Sequence, residues 1–197
     1  MSESYPQLEV VSRQQWRQWL AAHHADSAGV WVVTNKKGSG RPHVTYDEIA
    51  EEAIAHGWVD SQPRKLDADR SQLLLTPRSP RSNWSRVNKQ RVERLRAAGL
   101  MHAAGEEMVA LARRTGTWTA LDEVENLVEP EDLTAALDAD PAARRHWNGF
   151  PRSVRRGILE WINAAKRTET RSRRVEETAR LAADNIRANY PRQPKGR

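Results

Sequence analysis

Every stretch of this chain that is patterned as a β-strand lies between Gly29 and Arg78, and everything after Pro80 is spaced as helix. That separation predicts an α+β fold: a small antiparallel sheet packed on helices, followed by a helical C-terminal lobe. The first strand is Gly29–Asn35 (GVWVVTN), short and rich in β-branched residues, and KKGSGR at Lys36–Arg41 is its turn. Two more strand-like runs, Trp58–Lys65 and Ser71–Arg78, flank a turn at Leu66–Arg70. A hairpin closed by that turn sets Trp58 opposite Arg78, Asp60 opposite Thr76 and Gln62 opposite Leu74. Side chains alternate along a strand, so these six share one face and leave Val59, Leu73 and Leu75 as core candidates on the other. Pro63 cannot donate to a ladder, so the first arm of the hairpin is either an edge strand or bulged.

Helical spacing fills the rest. Gln14–His24 carries Trp16, Trp19 and Leu20 on one side. Thr45-Tyr46-Asp47-Glu48 is a capping box, which predicts a helix from Tyr46 to about His56, stopped by Gly57, with Ile49, Ala53 and Ile54 inward. Two helices follow, Ser85–Ala98 with Trp84, Val87, Val92 and Leu95 inward, and His102–Arg114 with Met108, Val109 and Leu111 inward. Gly99 and Gly116 are their stops. The acidic run 118–140 holds a loop and a short helix beginning at Pro130. Asp140-Pro141 opens the next helix, and Val154, Ile158, Trp161, Ile162 and Ala165 form a further stripe. Thr168 caps a last helix reaching about Asn189, with Val175, Ala179, Ala182 and Ile186 inside. The expected organisation is an α+β domain over 7–128, a helical segment over 129–190, and a disordered tail over 191–197; residues 1–6 are also expected to be mobile.

Charge is arranged in blocks. The balance is −3 over residues 1–60, +7 over 61–115, −8 over 116–140 and +10 over 141–197. Either the acidic block lies against a basic one, or the basic blocks form a standing positive surface for phosphates, nucleic acid or an acidic membrane. Cysteine is absent, which excludes disulfides, a thiolate nucleophile, a zinc finger and an iron–sulfur cluster. No apolar run approaches the roughly 20 residues of a membrane span. The opening MSESYPQLEVV has neither a basic nor an apolar signal region, so a cytoplasmic protein is expected.

Three stretches carry a family resemblance. They are Gly57-Trp58-Val59-Asp60, the run from Thr76-Pro77-Arg78-Ser79-Pro80 through Ser82-Asn83-Trp84-Ser85, and Asn88 leading to Val92, Glu93, Leu95 and Gly99-Leu100-Met101. With Gly116-Thr117-Trp118 behind them, the chain resembles the YdeI/OmpD-associated family, also labelled bacteriocin-protection proteins. The closing Trp161-Ile162, Ala165-Lys166 and Thr170-Arg171 are similar to that family's C-terminal helical segment. Ser61 stands where a glycine after the aspartate would be more usual. The resemblance implies resistance to bacteriocins or cationic peptides and some outer-membrane association, which for a chain without an export signal reads as a cytosolic stress role.

The central motifs also make physical sense as a basic, aromatic cleft. Arg78 opposite Trp58 can form a cation–π contact, with Asp60 in diagonal reach of the guanidinium. Trp84, Ser85 and Asn88 sit at a helix start, where free N–H groups favour anions. Such a set suits a carboxylate or phosphate on a flat apolar body; equally, Asp60–Arg78 could be a buried ion pair with both tryptophans in the core. The ligand-site candidates are therefore Trp58, Asp60, Arg78, Trp84, Ser85 and Asn88.

Other chemistry is thin. His56, before Gly57 at a helix end and near Asp60, is the best general-base candidate and also suits a plain helix terminus. His23-His24 reads as a helix end, and His43, His102 and His146 are isolated. No catalytic residue, metal ligand set or cofactor motif is assigned. The Arg-rich last helix (Arg171, Arg173, Arg174, Arg180, Arg187) lacks interleaved aromatics. The leading expectation is a noncatalytic protein that binds an anionic or aromatic small molecule or a protein partner. The alternatives are a nucleic-acid-associated protein and an enzyme using His56 and Asp60 beside Arg78.

Overall fold

A computed structural model describes residues 5–190; the mobility expected of the two ends falls on residues 1–4 and 191–197, outside the described residues. Pro6, placed by the sequence reading in the mobile start, is tied down: its carbonyl accepts from the Trp31 N–H at 2.8 Å. The chain forms two units, one up to Ala120 and one from Leu121. The fold is α+β, with a four-stranded sheet in the first unit and, among the described residues, helices alone in the second. No helix among the described residues is long and apolar enough to cross a membrane.

The first unit begins with β1 (Gln7–Glu9), α1 (Arg13–His23), β2 (Val30–Asn35) and α2 (Tyr46–Ala55). It continues with β3 (Trp58–Lys65), β4 (Arg70–Pro77), α3 (Arg86–Ala97) and α4 (Ala103–Thr115). The sheet order is β1-β2-β4-β3, so β4 is inside, between its hairpin partner and β2. Its three longer strands are antiparallel, as expected, and β1 adds a parallel edge beside β2 that the sequence did not announce. Three residues are too few for an alternating pattern to stand out.

The hairpin register is where expectation and structure part. Gln62 opposes Leu74 as expected, but a bulge lies between Asp60 and Gln62, so Trp58 opposes Pro77 rather than Arg78, and Asp60 opposes Leu75 rather than Thr76. One extra residue on one strand turns every side chain beyond it to the other face. Trp58 is thereby sent into the core with Leu75, only 1% exposed, while Val59, expected inside, is half-buried. The bulged residue is Ser61, and Pro63 costs no ladder bond because β3 is an edge strand.

The core of this unit is built around α2. Both halves of its capping box form, with Glu48 N–H donating to Thr45 Oγ1 and Thr45 N–H to Glu48 Oε2. The Thr45 N–H and hydroxyl, both donating to Glu48 Oε2, hold the Glu48 carboxyl below the usual carboxylate range. Ile49 and Ala53 pack with Trp16, Leu20, Val32 and Leu75, joining α1 and the sheet. Ile54 and Ala55 pack on the other side with Trp84, Val92, Leu95 and Val109 of the α3–α4 layer. Gly57 ends the helix at φ +77°, and a side chain there would also press on the Ala104 carbonyl at 3.0 Å. Two inward assignments move: Val87 is exposed, and Leu111 is half-buried while Ala112 takes the core position.

The second unit consists of α5 (Asp122–Glu125), α6 (Glu131–Asp138), α7 (Pro141–Gly149), α8 (Arg152–Asn163) and α9 (Thr168–Ala183). Its core gathers Leu133, Leu137, Trp147, Ile158, Ile162 and Ala182, all without measurable exposure. Asp140 caps α7 by accepting from the Ala142 N–H, with Pro141 at the first helical position, as the sequence indicates. Thr168 is the first residue of α9 rather than its cap, and the helix ends at Ala183, short of Asn189, with Asn185 in the left-handed region.

Candidate functional site

The segment from Thr76 to Asn88 folds back on itself. The Arg78 N–H donates to the Gly57 carbonyl at 3.0 Å, which extends the β3–β4 pairing one residue past the strand. A turn closed by Ser82 N–H to Ser79 C=O then reverses the chain, and Ser85 opens α3 by accepting from the Asn88 N–H. The reversal brings the Arg78 guanidinium over the Trp84 indole, 3.9 Å from Cζ to the ring centroid. Arg78 Nη2 donates to the Asn83 carbonyl at 2.5 Å. Trp84 is held in turn by its backbone N–H, which donates to the Thr117 carbonyl, and by the Trp118 ring at 5.2 Å. The cation–π contact expected of Arg78 thus forms with Trp84 and not with Trp58.

Trp58 is the candidate that the structure separates from the others. Its indole N–H donates to the His24 carbonyl at 3.0 Å, and its ring meets the edge of Trp19. Asp60 stays near Arg78 and acts on it through charge, but the hydrogen bond it accepts comes from the Tyr46 hydroxyl at 2.8 Å. Asn88 accepts from Arg91 Nη1 at 2.7 Å, and Arg91 Nη2 donates to Asp47 at 2.5 Å. Arg91 also lies over the Tyr46 ring at 5.3 Å. Tyr46, Asp47 and Arg91 were missed in the sequence. The signal lay in α3, where Asn88 and Arg91 occupy the same helical stripe as Val92 and Leu95, an unusual place for polar side chains.

The electrostatics are those of guanidinium groups taken out of water. Arg78 is 5% exposed and Arg91 4%. Arg78 Nε and Nη1, and Arg91 Nε, are buried without an acceptor among the described residues. Burial lowers the Arg78 pKa to about 10 against the pull of Asp60, so the group keeps its charge at neutral pH. Burial also raises the Tyr46 pKa, and the bond to Asp60 adds to this, so the hydroxyl stays a proton donor. A buried N–H without an acceptor costs about 1–3 kcal/mol, and more on a charged group. An acceptor atom placed there would recover that cost.

The remaining candidates have structural positions. His56 bonds through Nδ1 to the Glu52 carbonyl at the end of α2, the helix-terminus role, and its ring packs against His24 and His102 rather than beside Asp60. His102, expected to be isolated, is therefore part of a cluster. Lys36 of KKGSGR donates to the Asp67 and Ala68 carbonyls and closes the β3–β4 turn.

Residues 8–108 match a family described as a domain of unknown function (DUF8412). Residues 126–185 match the family described as bacteriocin-protection, YdeI or OmpD-associated. The second span contains the Trp161–Arg171 stretch, and the motifs from Gly57 to Met101 lie in the first. No curated protein and no solved structure matches the chain.

Proposed function

We propose that this chain, which belongs to the DUF8412 family and over residues 126–185 is a YdeI/OmpD-associated family member, is a noncatalytic cytosolic binding protein of the bacteriocin-protection type. Its ligand is a small anion, a carboxylate or phosphate on a flat apolar body, and Arg78 is the group that holds the charge. The single observation behind this reading is the Arg78 guanidinium, stacked on Trp84 yet left with Nε and Nη1 unpaired in a nearly water-free position. Arg91 Nε offers a further unpaired N–H, and the exposed Tyr46 ring a surface for the apolar body. Asp60, Ser85 and Asn88 position these groups by holding Tyr46, the α3 cap and Arg91. Trp58 supports the site from the core and does not touch the ligand.

The test is thermal stabilisation by phenyl phosphate, benzoate and inorganic phosphate, with benzamide as the neutral control. A ligand that binds only the folded state stabilises it by about 2.7 kcal/mol at a hundred times its Kd. Phenyl phosphate is expected to raise Tm saturably, benzamide to leave it unchanged, and Arg78→Lys to fold while losing the shift. No shift with any of the anions, or an equal shift in Arg78→Lys, would reduce Arg78 to a structural tie between β4 and α3.

A further inference from the structure

Three helix ends of the first unit converge on three imidazoles. His24 follows α1 and bonds through Nδ1 to the Leu20 carbonyl at 2.9 Å; His56 follows α2 and does the same to Glu52 at 2.9 Å. His102 precedes α4, and its Nδ1 lies 3.3 Å from the Ala104 N–H. The ring centroids are 5.7 Å apart for His24–His56, 4.8 Å for His24–His102 and 4.9 Å for His56–His102. Around them His102 N–H donates to the Ala55 carbonyl, and Gly105 lies so close to Ala55 that a side chain there would collide with its carbonyl. The imidazoles therefore sit at the joint where α4 is fastened to the end of α2.

The partners dictate the protons. A carbonyl only accepts, so neutral His24 and His56 carry hydrogen on Nδ1 and present a lone pair at Nε2. An amide N–H only donates, so His102 keeps its lone pair at Nδ1 and its hydrogen at Nε2. At Nε2 the neutral imidazoles thus carry two lone pairs, on His24 and His56, and one N–H, on His102. That assignment also keeps His102 Nε2 from acting as a metal ligand while it caps the helix, and no three ligand groups among the described residues are placed to hold a metal ion.

A further proton disturbs each position. On His24 or His56 it places a positive charge 4.8 Å or 4.9 Å, between ring centroids, from His102, which is itself exposed; at His56, 6% exposed, that charge is almost out of water. On His102 it occupies Nδ1, removes the acceptor of the Ala104 N–H, and puts a cation at a helix N-terminus, where the dipole opposes it. The nearby carboxylates are already engaged: Glu52 with Arg13 and Arg17, Glu106 with Arg96, and Asp26 beside His23 at 3.9 Å. Consistent with this geometry, burial holds the His56 pKa below its ordinary value, with His102 and His24 acting in the same direction, and Glu52 opposing through both its carbonyl and its charge.

We propose that His24, His56 and His102 form an acid-sensitive latch, which fastens α4 to the ends of α1 and α2 while neutral and releases it when protonated. Its test does not depend on the Arg78 reading. Amide hydrogen exchange of the full chain, corrected for intrinsic rates, would be compared at pH 7.5 and 5. Protection across Ala103–Thr115 is expected to fall at least tenfold relative to Arg70–Pro77. His102→Asn keeps a capping acceptor without a proton site, and most of that fall should vanish in it. The latch is overturned if α4 and β4 lose protection together, if neither changes, or if His102→Asn behaves as the parent. Imidazole titration by NMR in the unsubstituted protein gives an independent check, since three independent, ordinary titrations would also overturn it.

Discussion

Glu52 shows how a single residue carries a consequence that its neighbours in sequence do not reveal. It lies in α2 with its side chain 1% exposed, and Arg13 and Arg17 of α1 reach it at 2.6 Å each. Burial alone would raise its pKa, but the bonds from Arg17 and Arg13 outweigh burial and lower it. A carboxyl depressed in the folded state adds stability that is complete above the ordinary carboxylate value and disappears as pH falls through the lowered one. Glu52→Gln should therefore cost about 1–3 kcal/mol near pH 7, the usual penalty for disrupting buried charged hydrogen bonds. Urea unfolding at pH 7 and pH 3 should show the gap between parent and variant closing in acid. An equal gap at both pH values would mean that the ion pair contributes nothing through charge. The sequence marks Glu48 as a cap because its partner is three residues away, whereas Glu52 meets arginines more than thirty residues distant.

At the scale of elements, capping and periodicity located most helices to within a residue or two, because both act over three or four residues. Gly105 in α4 reverses the local rule. Helix propensity alone favours Gly→Ala by roughly 1 kcal/mol. Yet an added Cβ would stand 2.2 Å from the Ala55 carbonyl oxygen, so α4 would have to leave α2. Overpacking of this kind costs about 1–3 kcal/mol or more, so Gly105→Ala is expected to destabilise on balance. A denaturation midpoint above that of the parent would show that α4 can shift at no cost. The hairpin teaches the same lesson in β-structure. Pro63 signalled an edge or a bulge, and both are present, but nothing local told which residue was extra. That one choice at Ser61 decided that Trp58 belongs to the core and that Arg78 must stack on Trp84.

Across the whole molecule, the charge blocks resolve largely within the second unit. Glu125, Glu129, Asp132 and Asp138 of the acidic run pair with Arg156, Arg144 and Arg171. Arg174 lies over Trp161. The balance is then +4 up to Ala120 and +2 from Leu121, modest for a surface that must hold several phosphates. Fluorescence anisotropy with a short DNA duplex in about 50 mM salt is expected to show no saturable micromolar binding. Saturable binding that weakens steeply with added salt would favour the nucleic-acid alternative.

Taken alone, the sequence determined the α+β division, the hairpin, the caps of α2 and α7 and most of the buried stripes. These depend on hydrogen bonds and side-chain spacings closed within a few residues, so local order suffices to specify them. Tertiary structure alone decided the side of the sheet that Trp58 faces, the meeting of Arg91 with Asp47, and the gathering of His24, His56 and His102. Those outcomes turn on a single bulged residue and on helix ends brought together from distant parts of the chain, and no short stretch of sequence contains both sides of such a contact.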